Sequence, residues 1–431
     1  MEKSALIVSY YFPPCNGAPP WRAYSWAKHF HEFGIKPTVI TRHWKENVFV
    51  WDEMILDSDE PMTIEEKNEF TVYRLPSKKS FFFNAWKKYF SRLGFLDKPY
   101  FFLLQLIGFF SSEVNAALTF KSFLKEHIRE RKYHYIILTV PPRNIILLPR
   151  YLKKFTDAFI VLDYRDLFNN LRMNNNYHPS MSWRLKDVIY DFHQRRFLKY
   201  ADAITTIVPA FADELKRLSA KPVEVIYNGY EDDLFSTVEE KMPDKFTVSC
   251  IGSIYPDQDL SIMIPAFTEF LKDKNDDVQI KFVGAEVLKN VSQKIKNALP
   301  FPQIIISGRV SKERAVFETR NAHVLYFMAW PGYRGFISTK IFDYIASGNR
   351  IIIAPGDNNA MDEVVRKSGT GVVLNSADEM VKTLNEYYLE WKASGELKRQ
   401  NVSTEVRTFS RRNQAKKLAE FLLAQTSAAS A

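Results

Sequence analysis

The sequence has only two cysteines in 431 residues, Cys15 and Cys250. So few and so far apart, they exclude a disulfide framework and fit a reducing compartment. Long apolar runs are missing too. The longest, Tyr100–Phe110, falls short of the roughly 20 residues that a membrane-crossing helix needs. The opening MEKSALIVSYYF has too brief an apolar run for a signal peptide and reads as a first strand. These absences lead us to expect a cytoplasmic chain, soluble or peripheral on a membrane. No zinc-finger or RNP-type signature accompanies the net charge of +9, and the charges are dispersed, which argues against nucleic acid as a partner. The loop FPPCNGAPPWR lacks the full G-x-G-x-x-G fingerprint, so NAD is a poor match. No paired carboxylates stand at a spacing that points to a glycosidase.

With 46% apolar and 25% charged residues, the chain has the composition of a folded globular protein. Its length allows two domains, each with its own core. Short buried-looking strands alternate with amphipathic helices along both halves. Strands are expected at Ala5–Tyr10, Lys36–Thr41, Tyr135–Thr139, Phe159–Asp163, Tyr200–Ile207 and Pro222–Asn228. They restart at Phe246–Ile251, Val278–Val283, Gln303–Ile306, His323–Ala329, Arg350–Ala354 and Gly371–Leu374. Helices are expected at Trp21–Phe33, Glu113–Arg131 and Asn144–Phe155. Strand, glycine-containing loop, helix, strand is the start of a doubly wound parallel sheet, and the pattern begins twice.

Residues 78–110 interrupt it. Phe82, Trp86, Tyr89 or Phe90, and Leu93 fall at helical spacing, and from Lys78 to Lys98 six basic residues stand against the single acid Asp97. A basic, aromatic amphipathic helix is the pattern of an interfacial membrane binder, so an anionic membrane surface is an expected partner here; packing into the first domain is the alternative.

The most informative stretch is Pro331–Ala354, PGYRGFISTKIFDYIASGNRIIIA. Gly332 and Gly335 open a loop that can approach another molecule closely. Ser338 or Thr339 is a good N-cap, Ile341, Phe342 and Ile345 form an apolar side, and Gly348 stops the helix. Lys340 and Asp343 fall on the exposed side at i, i+3 spacing. A helix start with a lysine in its first turn suits a phosphate, and a carboxylate one turn on can take a ribose.

GFISTKIFDYIASG resembles the signature of glycosyltransferase family 4 and its relatives in the GT-B superfamily. Other segments resemble that group in the same order: FPPCNGAPPWR, DYRDLF, VEVIYNGYEDDLF, GSIYPDQ and SGRVS. The resemblance implies an α/β chain with two Rossmann-like domains facing across a cleft. It implies an acceptor domain at 1–230 carrying the 78–110 insertion, a nucleotide-sugar domain at 231–408, and a C-terminal helix at 409–431 crossing back to the first domain. The implied activity is retaining transfer of a sugar from a UDP- or GDP-type donor to a glycan or lipid-linked acceptor in surface polysaccharide assembly. No cofactor and no essential metal are implied.

By the same likeness, donor contacts fall on Gly17, Gly252, Ser253, Tyr255, Gly308, Arg309, Val310, Gly335, Phe336, Ile337, Ser338, Thr339, Lys340 and Asp343. Acceptor contacts fall on Arg22, Thr139, Asp163, Arg165 and Asp166, and the transfer step itself on Lys340, Asp343 and Asp166. The chain departs from the family at three places. Gly335 stands where many relatives carry a glutamate near the donor sugar. Ser253 and Gln258 stand where an arginine and a lysine reach the diphosphate. Thr139 stands near a strand end where some relatives have a histidine. A sugar-nucleotide epimerase on the same fold and a catalytically silent scaffold remain as alternatives.

Overall fold

The computed structural model describes residues 2–15, 19–45, 58–77, 85, 88–89, 97–106, 116–274 and 276–428. The chain divides into two compact units, one of residues 1–172, 177–227 and 414–431, the other of residues 173–176 and 228–413.

The strands of the first unit are β1 (Lys3–Val8), β2 (Ile35–Arg42), β3 (Thr63–Glu66), β4 (Thr71–Leu75), β5 (Tyr135–Val140), β6 (Phe159–Tyr164), β7 (Ala203–Thr206) and β8 (Val223–Val225). They line up as β3-β4-β2-β1-β5-β6-β7-β8, with β3 antiparallel to β4 and the other pairs parallel. Ala5–Val8 and Ile136–Leu138 are fully buried, as strands covered by helices on both faces must be. The helix Arg411–Ala428 returns to this unit. Its Ala415, Leu418, Ala419 and Leu422, spaced as one helical face, join Ala5, Ile7, Trp26, Phe30 and Val39 in the core.

The second unit holds β9 (Phe246–Ile251), β10 (Val278–Val283), β11 (Ile304–Ser307), β12 (Val324–Phe327), β13 (Arg350–Ile353) and β14 (Gly371–Val373). Their order is β11-β10-β9-β12-β13-β14, all parallel. The order reverses between β9 and β12, and ligands of open α/β sheets bind at the strand C-termini beside such a reversal.

One local reading is corrected. Asn144–Phe155 is not one helix but a 3-10 segment, Arg143–Leu147, followed by the short helix Leu148–Leu152. Pro149 has no N–H to bond back into the preceding turn, so it starts a helix and cannot continue one. The pair β3–β4 had no expectation in the sequence. The amphipathic helix expected around 82–93 lies almost wholly outside the described residues, and within 78–110 the described helix is Asp97–Leu106. Among the described residues no helix is long and apolar enough to cross a membrane.

Candidate functional site

The site of the second unit is built on a floor of glycines. Register sets Ile251 beside Val283 and Val283 beside Ser307. Each is the last residue of its strand and each is followed by a glycine, so Gly252, Gly284 and Gly308 come level at the sheet's C-terminal edge. Gly252 and Gly284 have φ of +94° and +91°, which side-chain-bearing residues rarely adopt. A β-carbon on Gly284 would sit 3.2 Å from the Gly252 Cα. The two glycines therefore pack backbone against backbone, and the space a side chain would fill at Gly252 is left for Lys340.

Lys340 closes one side of this floor. It is the second residue of the helix Thr339–Ser347, and its ammonium donates to the Ser253 carbonyl at 2.9 Å. Loss of water around the ammonium lowers its pKa from the ordinary lysine value, with a small opposing effect from Cys250. The Cys250 thiol, buried beneath, is pushed up to about 11 by burial, against the pull of Lys340. Tyr344 ties the helix to the floor: the Ile251 N–H donates to its hydroxyl at 2.8 Å. Gly348, at φ +71°, stops the helix as expected. Ser338 occupies the N-cap position, but its hydroxyl makes no capping bond. The first-turn N–H groups are thus left without side-chain caps.

The expectation that Lys340 and Asp343 project from the exposed side of this helix is corrected. Asp343 keeps only 14% of its side-chain surface, and its Oδ2 accepts from the Lys312 ammonium. Its Oδ1 is buried without a hydrogen-bond partner. Helices Lys312–Arg320 and Thr339–Ser347 pack on each other, which draws the acid inward to a cation that the motif does not contain.

Around these groups the loops are held by side-chain amides. Gln258 donates to the Met328 carbonyl at 2.7 Å and accepts from the Tyr255 N–H at 2.8 Å, so it braces the loop and does not extend from it. Asn359 accepts from the Gly335 N–H at 3.0 Å. Gly335 has φ of +70°. Tyr255, Trp330 and Phe336 form an aromatic rim, with Trp330 donating to Asp257. Tyr255 and Phe336 are exposed, Ile337 is buried beneath them, Thr339 is half-buried, Arg309 is exposed and Val310 half-buried.

In the first unit, Thr139, Asp163 and Thr205 are level on β5, β6 and β7. Arg22 and Asp163, both expected as acceptor contacts, pair with each other here. Both are buried, and the Arg22 guanidinium grips the carboxylate at 2.7 and 2.9 Å while also donating to the Ile226 carbonyl at 2.6 Å. Thr205 donates to the same carboxylate at 2.7 Å. A charged pair without water needs such complete bonding, and these bonds leave it a structural clasp. Thr139 donates to the Ser9 hydroxyl at 3.0 Å. The gap lined by Ser9, Thr139, Asp163 and Arg165 measures about 10 Å³, room for about one water. Arg165 and Asp166 are more open and pair with each other at 2.9 Å. Gly17 lies outside the described residues.

Sequence reasoning missed Gly284, Lys312, Tyr344 and Asn359. Gly284 had a usable signal, since VGAE places a glycine directly after a buried strand as at Gly252. Lys312 and Asn359 had none, because they meet the motif only through packing.

No protein-family model matches the chain, and no curated protein matches its sequence. Solved structures do match over its length. Sucrose-phosphate synthase from Thermosynechococcus elongatus is 12% identical, covering 99% of this chain and 100% of that one at a TM-score of 0.64. An α,α-trehalose-phosphate synthase (UDP-forming) from Burkholderia xenovorans, in complex with glucose-6-phosphate, is 10% identical over 98% and 100% at 0.60. HepE from Anabaena, in complex with UDP, is 12% identical over 98% and 100% at 0.58. With two parallel-sheet units and this likeness along its length, the chain has the fold of the GT-B glycosyltransferases.

Proposed function

We propose that the protein is a glycosyltransferase that moves a sugar from a nucleoside-diphosphate sugar, of UDP or GDP type, to a glycan or lipid-linked acceptor in surface polysaccharide assembly in the cytoplasm. The observation that carries this reading is the Lys340 ammonium held against the Gly252–Ser253 backbone, above level glycines and beside an uncapped helix start. A diphosphate leaving group gathers negative charge in the transition state, and a fixed cation with backbone N–H groups stabilises it there. Lys340, the Ser338–Thr339 backbone and Ser253 take that role, with retention of configuration and without a metal. Asp343, whose Oδ1 lacks a partner, accepts from a ribose hydroxyl. The UDP held by HepE and the UDP formed by the trehalose-phosphate synthase fit this donor class.

A second reading, a silent scaffold that binds without turnover, draws on two observations. Gln258 is engaged internally where relatives have a cation, and Gly335 offers no carboxylate to the donor sugar. Titration of UDP-, GDP-, ADP- and dTDP-sugars into wild type and Lys340→Ala tests the donor site. One nucleotide should bind, and the substitution should abolish binding. No binding within a millimolar range, about −4 kcal/mol, overturns the reading. Binding without hydrolysis or transfer to any acceptor favours the scaffold.

A further inference from the structure

The helix Met181–Leu198 of the first unit has two apolar faces. Ile189, Tyr190, His193, Phe197 and Leu198 are buried against the unit. On the other face Met181, Leu185, Val188 and Phe192 follow one another at i, i+4, i+7 and i+11 and are 78, 47, 65 and 59% exposed. Such spacing makes one continuous stripe. No element among the described residues covers it. The neighbouring helix Asp97–Leu106 meets the buried side of this helix, where His193 Nε2 lies 3.0 Å from the Leu106 carbonyl, and it exposes Leu103 and Leu106. Scattered surface apolar residues are ordinary, but a stripe three turns long is not.

The border of the stripe is cationic. Arg184, Arg195, Arg196 and Lys199 are exposed along it. The acids of the helix face elsewhere: Asp187 bonds Arg172 and Asn169, and Asp191 bonds Arg172 and Arg217. Apolar side chains edged by arginine and lysine, with the acids withdrawn, suit a surface that is greasy beneath and negative on top. A second copy fits poorly, because a two-fold contact through this stripe would set these four cations against the same four. We propose that the Met181–Leu198 face docks on an anionic lipid bilayer, with Val188 and Phe192 entering the acyl boundary. Met181–Leu198 lies outside the 78–110 stretch in sequence, and the proposal needs no donor-site assignment.

The test is co-sedimentation with vesicles of phosphatidylcholine alone and of phosphatidylcholine with one third phosphatidylglycerol, using wild type, Val188→Glu/Phe192→Glu and Arg184→Gln/Arg195→Gln/Arg196→Gln. Wild type should sediment with the anionic vesicles only, and salt should release it. Both variants should partition at least tenfold more weakly while unfolding at the wild-type temperature, because every substituted side chain is exposed. The proposal is overturned if wild type stays in solution at low salt, or if the glutamate variant sediments as well as wild type. It is equally overturned if the stripe proves to hold two copies together, seen as a concentration-dependent dimer that the glutamate variant abolishes.

Discussion

A β-carbon on Gly252 would lie 2.4 Å from Cε and 2.6 Å from Nζ of Lys340. The lysine thus occupies the space that the missing side chain leaves, and it reaches the loop carbonyl only because that space is there. Gly252→Ala would displace the ammonium and force a left-handed backbone that costs about 1–2 kcal/mol. Nucleotide-sugar affinity should fall at least tenfold, or about 1.4 kcal/mol, with Lys340 itself unchanged in sequence. Calorimetric titration showing wild-type affinity would remove Gly252 from the site.

Lys312 and Asp343 are predicted to act as one unit. Lys312→Met leaves a largely buried carboxylate without its cation, which should destabilise the protein by about 1–3 kcal/mol. The double substitution Lys312→Met/Asp343→Leu should recover much of that stability but not donor binding. Urea unfolding of the four members of this cycle measures the coupling, and strictly additive losses would mean the pair is incidental.

Arg22 and Asp163 should behave as structure. Asp163→Asn removes the charge that a buried guanidinium faces, and breaking a buried pair costs about 3–5 kcal/mol. The loss should appear in the unfolding midpoint, while donor affinity in the surviving folded protein stays at the wild-type level. A variant of normal stability that has lost only acceptor use would return these residues to the acceptor site.

Acid should weaken the second unit. Burial lowers the His323 pKa to about 4, and its Nδ1 accepts from the Thr247 N–H at 3.0 Å, so the folded state holds the neutral ring. Between about pH 6.5 and 4 the unfolded chain takes up a proton that the folded unit refuses. The stability that His323 contributes is full above the unfolded value and is lost as pH falls through this window, reaching about 3 kcal/mol. Unfolding midpoints followed across that range should fall more steeply for wild type than for His323→Gln, and parallel slopes would contradict the assignment.

Much of the fold was legible in the sequence because buried parallel strands carry a dense local signal. Phe246–Ile251 and Val278–Val283 are observed at the expected bounds, and Arg350–Ile353 ends one residue earlier than expected. Gly348 stops its helix because a left-handed C-cap excludes most other residues. Where the signal was weak or interrupted the reading failed: Thr63–Glu66 and Thr71–Leu75 are short, and Pro149 divided an otherwise periodic stretch.

The site was legible in part. Lys340 stands in a motif, and its tether to the Ser253 carbonyl follows from a helix start facing a strand end. The burial of Asp343 was not readable, since helical spacing shows which side chains share a face but not what packs on that face. The pairing of Arg22 with Asp163 was unreadable for the same reason. They are 141 positions apart, one on a helix and the other on β6, and nothing local shows that the fold brings them together.

The sequence by itself determined two runs of alternating strand and helix, the glycines that interrupt them and the lysine at a helix start. Those properties live within a few residues and are set by sterics and local periodicity. Tertiary structure alone decided that three glycines stand level, that Lys312 meets Asp343 and that Arg22 clasps Asp163. Each depends on strand register or helix packing between distant segments, where burial selects the partners and nothing local encodes them.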